Sequence, residues 1–258
     1  MAFSLVSGLL KADAGASLRI ADPLPSQRER FDDLGVISFE HNDEAIDAAD
    51  IIVLAVKPQI ARQVLEPLKI RPEQLLVSIA AGIDSESLKL WTSDTQPIVR
   101  CMPNTPALLG AGMTALYANE YCDNDHQQTA NTILSSAGKT VWVDQESKLD
   151  AVTAVSGSGP AYFFALMEAM VEAGVSLGLD REMATQLTVQ TGVGAALMAD
   201  RTDDNPATLR ANVTSPGGTT EAALTVMRDA GFNEIMRDAL DAAARRSQTL
   251  AREFGGKI

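Results

Sequence analysis

The chain has 258 residues, 46% of them hydrophobic, and carries 34 acidic against 21 basic side chains for a formal net charge of −13. It is long enough to bury real cores, and a field of that sign repels phosphate polymers and anionic bilayers, which excludes nucleic acid and membranes as expected partners. Its two cysteines, Cys101 and Cys122, form no C-x-x-C pair, which excludes a disulfide framework and a zinc site and fits a reducing, cytoplasmic setting.

In chain order, Met1 to Ala12 reads as an apolar helix: it lacks the basic leading segment of a secretion signal, and Lys11 and Asp13 follow at once. Short β-branched runs then alternate with helical stretches, the pattern of a doubly wound parallel sheet. The strands are Leu18 to Asp22, Ile37 to Glu40, Ile51 to Val56, Leu75 to Ala80, Ile98 to Met102, Met113 to Ala118 and Thr140 to Val143. Helices are predicted at Pro25 to Leu34, Ile60 to Leu68 and Ser85 to Trp91, the last capped by Asp84 or Ser85. After about Ser147 the strands stop, and helices follow at Pro160 to Leu177, Asp180 to Met198, Pro206 to Asn212, Thr219 to Ala230 and Asn233 to Phe254. The helix from Pro160 to Leu177 is apolar nearly all round, so a second subunit is expected to cover it. The reading is an α/β chain: a Rossmann-like nucleotide-binding domain over 1–145 and an all-α dimerisation and substrate domain over 146–258.

A doubly wound nucleotide-binding domain opens with a strand running into G-x-G-x-x-G and a helix, whose N-terminus holds the pyrophosphate. Here the helix stands at Met1, no strand or glycine loop precedes it, and the next strand ends at Asp22, where the ribose-binding acid belongs. The chain as given is therefore expected to start inside its cofactor-binding loop, with the first strand and Gly-rich loop absent. A start assigned too late is one explanation. A truncated protein is the other, and losing a central strand would leave it fragile and poor at binding cofactor.

Three segments carry chemistry. Asn212 to Glu221 places consecutive glycines and hydroxyls at a helix start, where several N–H donors point at one place; this suits a carboxylate and reads equally well as an elaborate N-cap. Ala55-Val56-Lys57-Pro58 closes a buried strand, as a ligand wall or as a Pro-started helix with a surface lysine. Arg100 to Pro106 leaves another strand end with prolines around polar side chains.

With Ser78 to Gly82 and Ala154 to Tyr162, these segments make the whole chain resemble pyrroline-5-carboxylate reductase. The resemblance implies reduction of 1-pyrroline-5-carboxylate to L-proline by hydride from NAD(P)H, the last step of proline biosynthesis, by a homodimer or larger homo-oligomer. It implies that Ser215, Gly217, Gly218 and Thr219 orient the substrate. Thr220 lies near the ring nitrogen as the catalytic residue that donates or relays its proton, and Asp203 falls at an acidic position near the substrate. It further implies that Ala55, Val56, Lys57, Pro58, Ala80, Ala81 and Asn104 line the nicotinamide, that Asn42 lies near the adenosine, and that Met1 borders the missing phosphate loop. Asp22 would favour a free ribose 2′-hydroxyl and NADH, whereas Arg28 and Arg30 could accept a 2′-phosphate; the family more often uses NADPH. No metal is expected.

An imine nitrogen is basic enough to be substantially protonated, so positioning dominates the chemistry and the two histidines, His41 and His126, read as plain surface residues. A non-catalytic homologue, or a reductase of another cyclic imine or of a 3-hydroxy acid, is the alternative. The absence of lysine between Pro160 and Leu177 tells against the hydroxy acid.

Overall fold

A computed structural model describes residues 1–12 and 17–255. The chain divides into two compact units: Met1–Ser158 together with the chain from Ala242 onward, and Gly159–Asp241.

In the first unit α1 (Ala2–Ala12), β1 (Arg19–Ala21), α2 (Pro25–Asp32), β2 (Ile37–Phe39) and α3 (Asn42–Ile46) come first. There follow β3 (Ile51–Leu54), a 3-10 turn at Pro58–Ile60, α4 (Ala61–Leu65), β4 (Leu75–Ser78), α5 (Ser85–Trp91) and β5 (Ile98–Met102). A second 3-10 turn at Thr105–Leu109 leads to β6 (Gly112–Ala118), α6 (Asn124–Ser135), β7 (Gly138–Trp142), α7 (Lys148–Val152) and a π-helical turn at Thr153–Gly157. Five strands form one sheet in the order β3-β4-β5-β6-β7, and β1 pairs with β2 alone as a separate parallel ribbon.

The sheet is not parallel throughout, as the alternating pattern had implied: β6 runs antiparallel to β5, and β7 parallel to β6. The reason lies in the connection. Parallel neighbours need a crossover of about a dozen residues or more, usually a helix, whereas β5 is followed only by the two prolines and a 3-10 turn before Gly112, so the chain turns back.

All four residues of β4 are buried, and alternation sends Leu75 and Val77 into one core and Leu76 into the other. The first core takes Leu5 of α1 and Ala130 and Leu134 of α6; the second takes Ala61 and Leu65 of α4, Leu88 and Trp91 of α5, and the edge of Phe254. Val6 of α1 packs with Phe31 and Val36 in a third cluster, so neighbouring residues of one helix serve the main sheet and the β1–β2 ribbon.

The amino ends of the strands are tied by buried amides. Gln74 Nε2 donates to the carbonyls of Ile46 (2.9 Å) and Ala49 (2.6 Å), Gln96 Nε2 donates to Gln74 O, and Asn119 donates to Gln96 O (2.9 Å) while accepting from Ile98 N (3.0 Å). Each such bond spares a buried polar group a desolvation cost of about 1–3 kcal/mol. Function is thereby left to the carboxyl ends.

The second unit holds α8 (Gly159–Ser176), α9 (Arg181–Arg201), α10 (Pro206–Asn212), α11 (Thr219–Asp229) and the start of α12 (Phe232–Phe254). Asp180 caps α9 through Met183 N (2.8 Å), and Asn205 caps α10 through Thr208 N (3.0 Å). α8 packs along α9, and Arg181 grips Glu172 through two bonds of 2.6 and 2.9 Å. Within this unit only Gly159, Ala184 and Thr188 of the described helices are buried. No helix among the described residues is long and apolar enough to cross a membrane.

Candidate active site

Ligands of open α/β sheets gather beyond the carboxyl ends of the strands. After β3, Ala55 to Lys57 are exposed or half-buried, the chain bending at Val56 and extended at Lys57, and the Ile60 N–H donates to Lys57 O (3.1 Å) to close the turn that Pro58 begins. After β4, Ala80 is 3% exposed and Ala81 half-buried, and Gly82 adopts φ +76°, a left-handed conformation that side chains rarely take. A Cβ at Gly82 would stand 3.3 Å from the Ala251 nitrogen of α12. A small crevice opens here, lined by Ala80, Ala81 and Gly82, by Arg100, Cys101 and Met102 of β5, and by Asp150 and Ser247, whose side chains are hydrogen-bonded at 2.7 Å.

This floor of small side chains suits a flat ring. Burial pushes the Cys101 thiol far up, so it packs and does not attack. Asn104, predicted to line the nicotinamide, spends its amide within the protein: Oδ1 accepts from Met113 N (2.9 Å), and Nδ2 donates to Ser156 O (3.3 Å) and Ser156 Oγ (3.2 Å) in the π-helical turn.

At the end of β1, Asp22 Oδ1 accepts from Leu24 N (2.9 Å) and the Asp22 carbonyl accepts from Arg28 (2.7 Å), which also stands 3.8 Å from Glu40. The sequence had set Arg28 and Arg30 together. The structure separates them: Arg30 stacks over the Phe3 ring of α1 at 4.7 Å and leaves Arg28 as the cation beside Asp22. Asn42 is the first residue of α3 and half-buried, and Met1 caps the start of α1, its carbonyl accepting from Ser4 N (2.9 Å) and Leu5 N (3.1 Å).

In the second unit, Val213 to Gly218 form the turn into α11. Gly217 takes φ +71°, and its N–H donates to Glu221 Oε2 at 2.7 Å; the Gly218 N–H donates to Ser215 O at 3.0 Å. These two amides are thus engaged inside the turn, as an elaborate N-cap would have them, and are not free ligand donors. Thr219 and Thr220, the first residues of α11, keep N–H groups that have no partner among the described residues, next to their own hydroxyls. Glu221, the predicted acid of the first turn, shapes the loop rather than merely favouring the helix end. Asp203 lies exposed in the connection between α9 and α10.

The sequence reading missed one cluster. Arg100 Nη1 donates to Glu146 Oε1 (2.7 Å), and Glu146 also accepts from Ser85 N and Ser85 Oγ, each at 2.7 Å. An arginine inside a buried strand is the signal that could have exposed it, because such a charge needs a carboxylate partner. His126 is not a plain surface residue either: its ring nitrogen accepts from Asp123 N (3.2 Å), completing a capping box on α6. Among the described residues no group of three His, Cys, Asp or Glu side chains could hold a metal ion.

Comparison with known proteins gives two family matches: "Pyrroline-5-carboxylate reductase dimerisation" over residues 146–250 and "NADP oxidoreductase coenzyme F420-dependent" over residues 1–82. A pyrroline-5-carboxylate reductase of Pseudomonas aeruginosa is 48% identical over 99% of this chain and 95% of its own length. A solved pyrroline-5-carboxylate reductase of Coxiella burnetii superposes with TM-score 0.92 at 38% identity, covering 96% of this chain and 94% of that one. The Plasmodium falciparum pyrroline carboxylate reductase, solved with NADP bound, gives TM-score 0.84 at 31% identity over 96% of this chain and 93% of that one. With near-complete overlap at such identity, and with the crevice and the amide-rich turn both present, the chain belongs to the pyrroline-5-carboxylate reductase family.

Proposed function

We propose that this protein reduces 1-pyrroline-5-carboxylate to L-proline with a nicotinamide cofactor, the last step of proline biosynthesis. The observation that carries the reading is the turn before α11, where the unpaired amides of Thr219 and Thr220 stand beside hydroxyls at the positive end of a helix, a receptor for one small carboxylate. In a chain of net charge −13 such a local device is what an anionic substrate requires.

Ser215 and Thr219 orient the substrate carboxylate, Gly217 and Gly218 give the turn its shape, and Glu221 holds that shape through the Gly217 amide. Thr220 presents its hydroxyl to the ring nitrogen and holds the proton there, so that the C=N carbon is electrophilic when hydride arrives; the carbon gains the hydride, the nitrogen keeps the proton, and proline results. Asp203 supplies negative charge near the protonated ring. NAD(P)H, when bound, supplies the hydride. The small residues Ala80 and Ala81, with Ala55 to Pro58, form its nicotinamide wall, and their lack of bulk admits a flat ring. Asn104 acts there by fixing the loop after β5 against Ser156. Asn42 and Asp22 border the adenosine, with Arg28 close enough to Asp22 to meet a 2′-phosphate, and Met1 lies beside the pyrophosphate end.

Residues 1–145 serve as the nucleotide-binding domain and 146–258 as the helical substrate domain, which pairs with a second copy through the exposed apolar residues of α8 and α9. The setting is the cytoplasm. The experiment that tests the assignment of Thr220 is Thr220→Ala: kcat falls about tenfold to a hundredfold while NADPH affinity stays within about twofold. Equal turnover in the two proteins removes Thr220 from the mechanism.

A further inference from the structure

Arg100 sits in β5, its side chain 12% exposed, and its register partner in β6 is Tyr117, whose phenol is pushed up by burial and then by the Glu146 charge. A charge so placed requires a partner, and Glu146 meets it at 2.7 Å from the segment between β7 and α7. The same carboxylate does more. One oxygen receives both the Arg100 guanidinium and the Ser85 amide, and the other receives the Ser85 hydroxyl. Ser85 opens α5 and is 5% exposed, so three charge-assisted donors from two elements converge on one side chain.

Burying an ion pair is a weak device for stability, since apolar side chains of the same volume serve as well. What the cluster supplies is geometry. The loop 79–84 carries Ala80 and Ala81 and ends at Ser85, which Glu146 holds. On its other side Gly82 abuts Leu250 and Ala251 of α12, and Ser87 Oγ donates to Gly255 O. The loop is therefore held at its middle and at its carboxyl end by residues distant in sequence.

We infer that Glu146 is a positioning residue for the reductase: by gripping Ser85 and Arg100 together it sets the height of the Ala80–Ala81 floor and couples that floor to the segment entering α7. This rests on the reading that the floor receives the nicotinamide.

Glu146→Gln keeps an acceptor for Ser85 but lowers the charge, and Ser85→Ala removes one bond without stranding a charge, so the second variant stays folded even where the first is weakened. Hydrogen exchange of the cofactor-free proteins reads the clamp directly. Both variants speed exchange in 79–85 about tenfold, with β4 itself unchanged, and raise the NADPH dissociation constant and KM about tenfold, while kcat and the KM for pyrroline carboxylate move less than about threefold. Unaltered exchange in 79–85 overturns the inference. So does a uniform rise across β4 and β5 with all kinetic constants shifting together, which marks a merely structural pair. A wild-type protein that turns over no pyrroline carboxylate refutes the reaction instead, and exchange with the NADPH titration still decides the clamp.

Discussion

In the strand-bearing unit Leu65, Leu76, Leu88, Ile98, Leu116 and Leu134 are each less than 2% exposed, whereas in Gly159–Asp241 Phe163, Phe164 and Val226 are 65%, 64% and 70% exposed. Both regions are rich in apolar side chains, yet the first buries them within the chain while α8 leaves Phe163 and Phe164 exposed. A sheet covered by helices on both faces closes its own core. A mostly apolar helix with one long neighbour leaves part of that surface uncovered, as the proposed pairing with a second copy would not. The machinery divides the same way: the floor after β4 is held by long-range bonds, while the turn before α11 is held by local ones, among them Gly217 to Glu221 and Gly218 to Ser215.

The hardest test of that contrast is Leu76→Ala, expected to destabilise the folded chain by about 2–5 kcal/mol because the cavity lies between sealed layers. Calorimetric unfolding checks it, and a cost near zero would mean the first core is not the rigid part. Next, Phe163→Ser with Phe164→Ser should convert the oligomer to monomers, raising the dissociation constant by at least about a hundredfold through lost apolar burial, with the secondary structure kept. Light scattering with circular dichroism decides this; an unchanged oligomer places the interface elsewhere. Asp22→Asn should then shift the ratio of kcat/KM toward NADPH by about tenfold. The 2′-phosphate no longer meets a carboxylate, while Arg28 keeps its place, since it is held at 2.7 Å by the backbone carbonyl of Asp22 and not by the side chain. Steady-state kinetics with both cofactors reads it, and an unmoved ratio removes Asp22 from cofactor choice.

The smallest effect concerns pH. Burial, opposed by hydrogen bonds to Ile98 and Asn119, pushes the Cys122 thiol from 9.0 up to about 11. The folded state therefore favours the neutral thiol, and this contribution is complete below pH 9 and lost as the pH rises toward 11. Melting temperature against pH should fall less steeply in that window for Cys122→Ala than for the parent. Parallel curves would contradict the burial of this thiol.

The sheet was legible because its strands are short β-branched runs between turn residues, and β5 begins and ends where the sequence places it, at Ile98 and Met102. The long helices were legible by period. What escaped were α3, α6 and α7: the first and last are five-residue helices with a single buried side chain each, Ala45 and Leu149, where the equally short α4 has two, and α6 is mostly polar, its apolar side chains few and its start marked by the Asp123–His126 box. The antiparallel turn at β6 depended on counting the residues after β5. Among site residues the sequence could name types and order, such as Ser215 to Thr220, but not which amides were already taken, because the Gly217–Glu221 bond exists only in three dimensions. The Glu146 clamp joins positions 61 and 46 residues apart, beyond any local pattern.

The central claim is that this chain grips a cyclic imine carboxylate and delivers hydride to its C=N carbon. The most direct measurement is proline formation by the purified protein from pyrroline-5-carboxylate and NADPH, with product and oxidised cofactor both counted. One proline should form for each cofactor oxidised, and the protein should show no comparable oxidation of 3-hydroxy acids by NADP⁺. Cofactor oxidation without proline, or none at all, would contradict it.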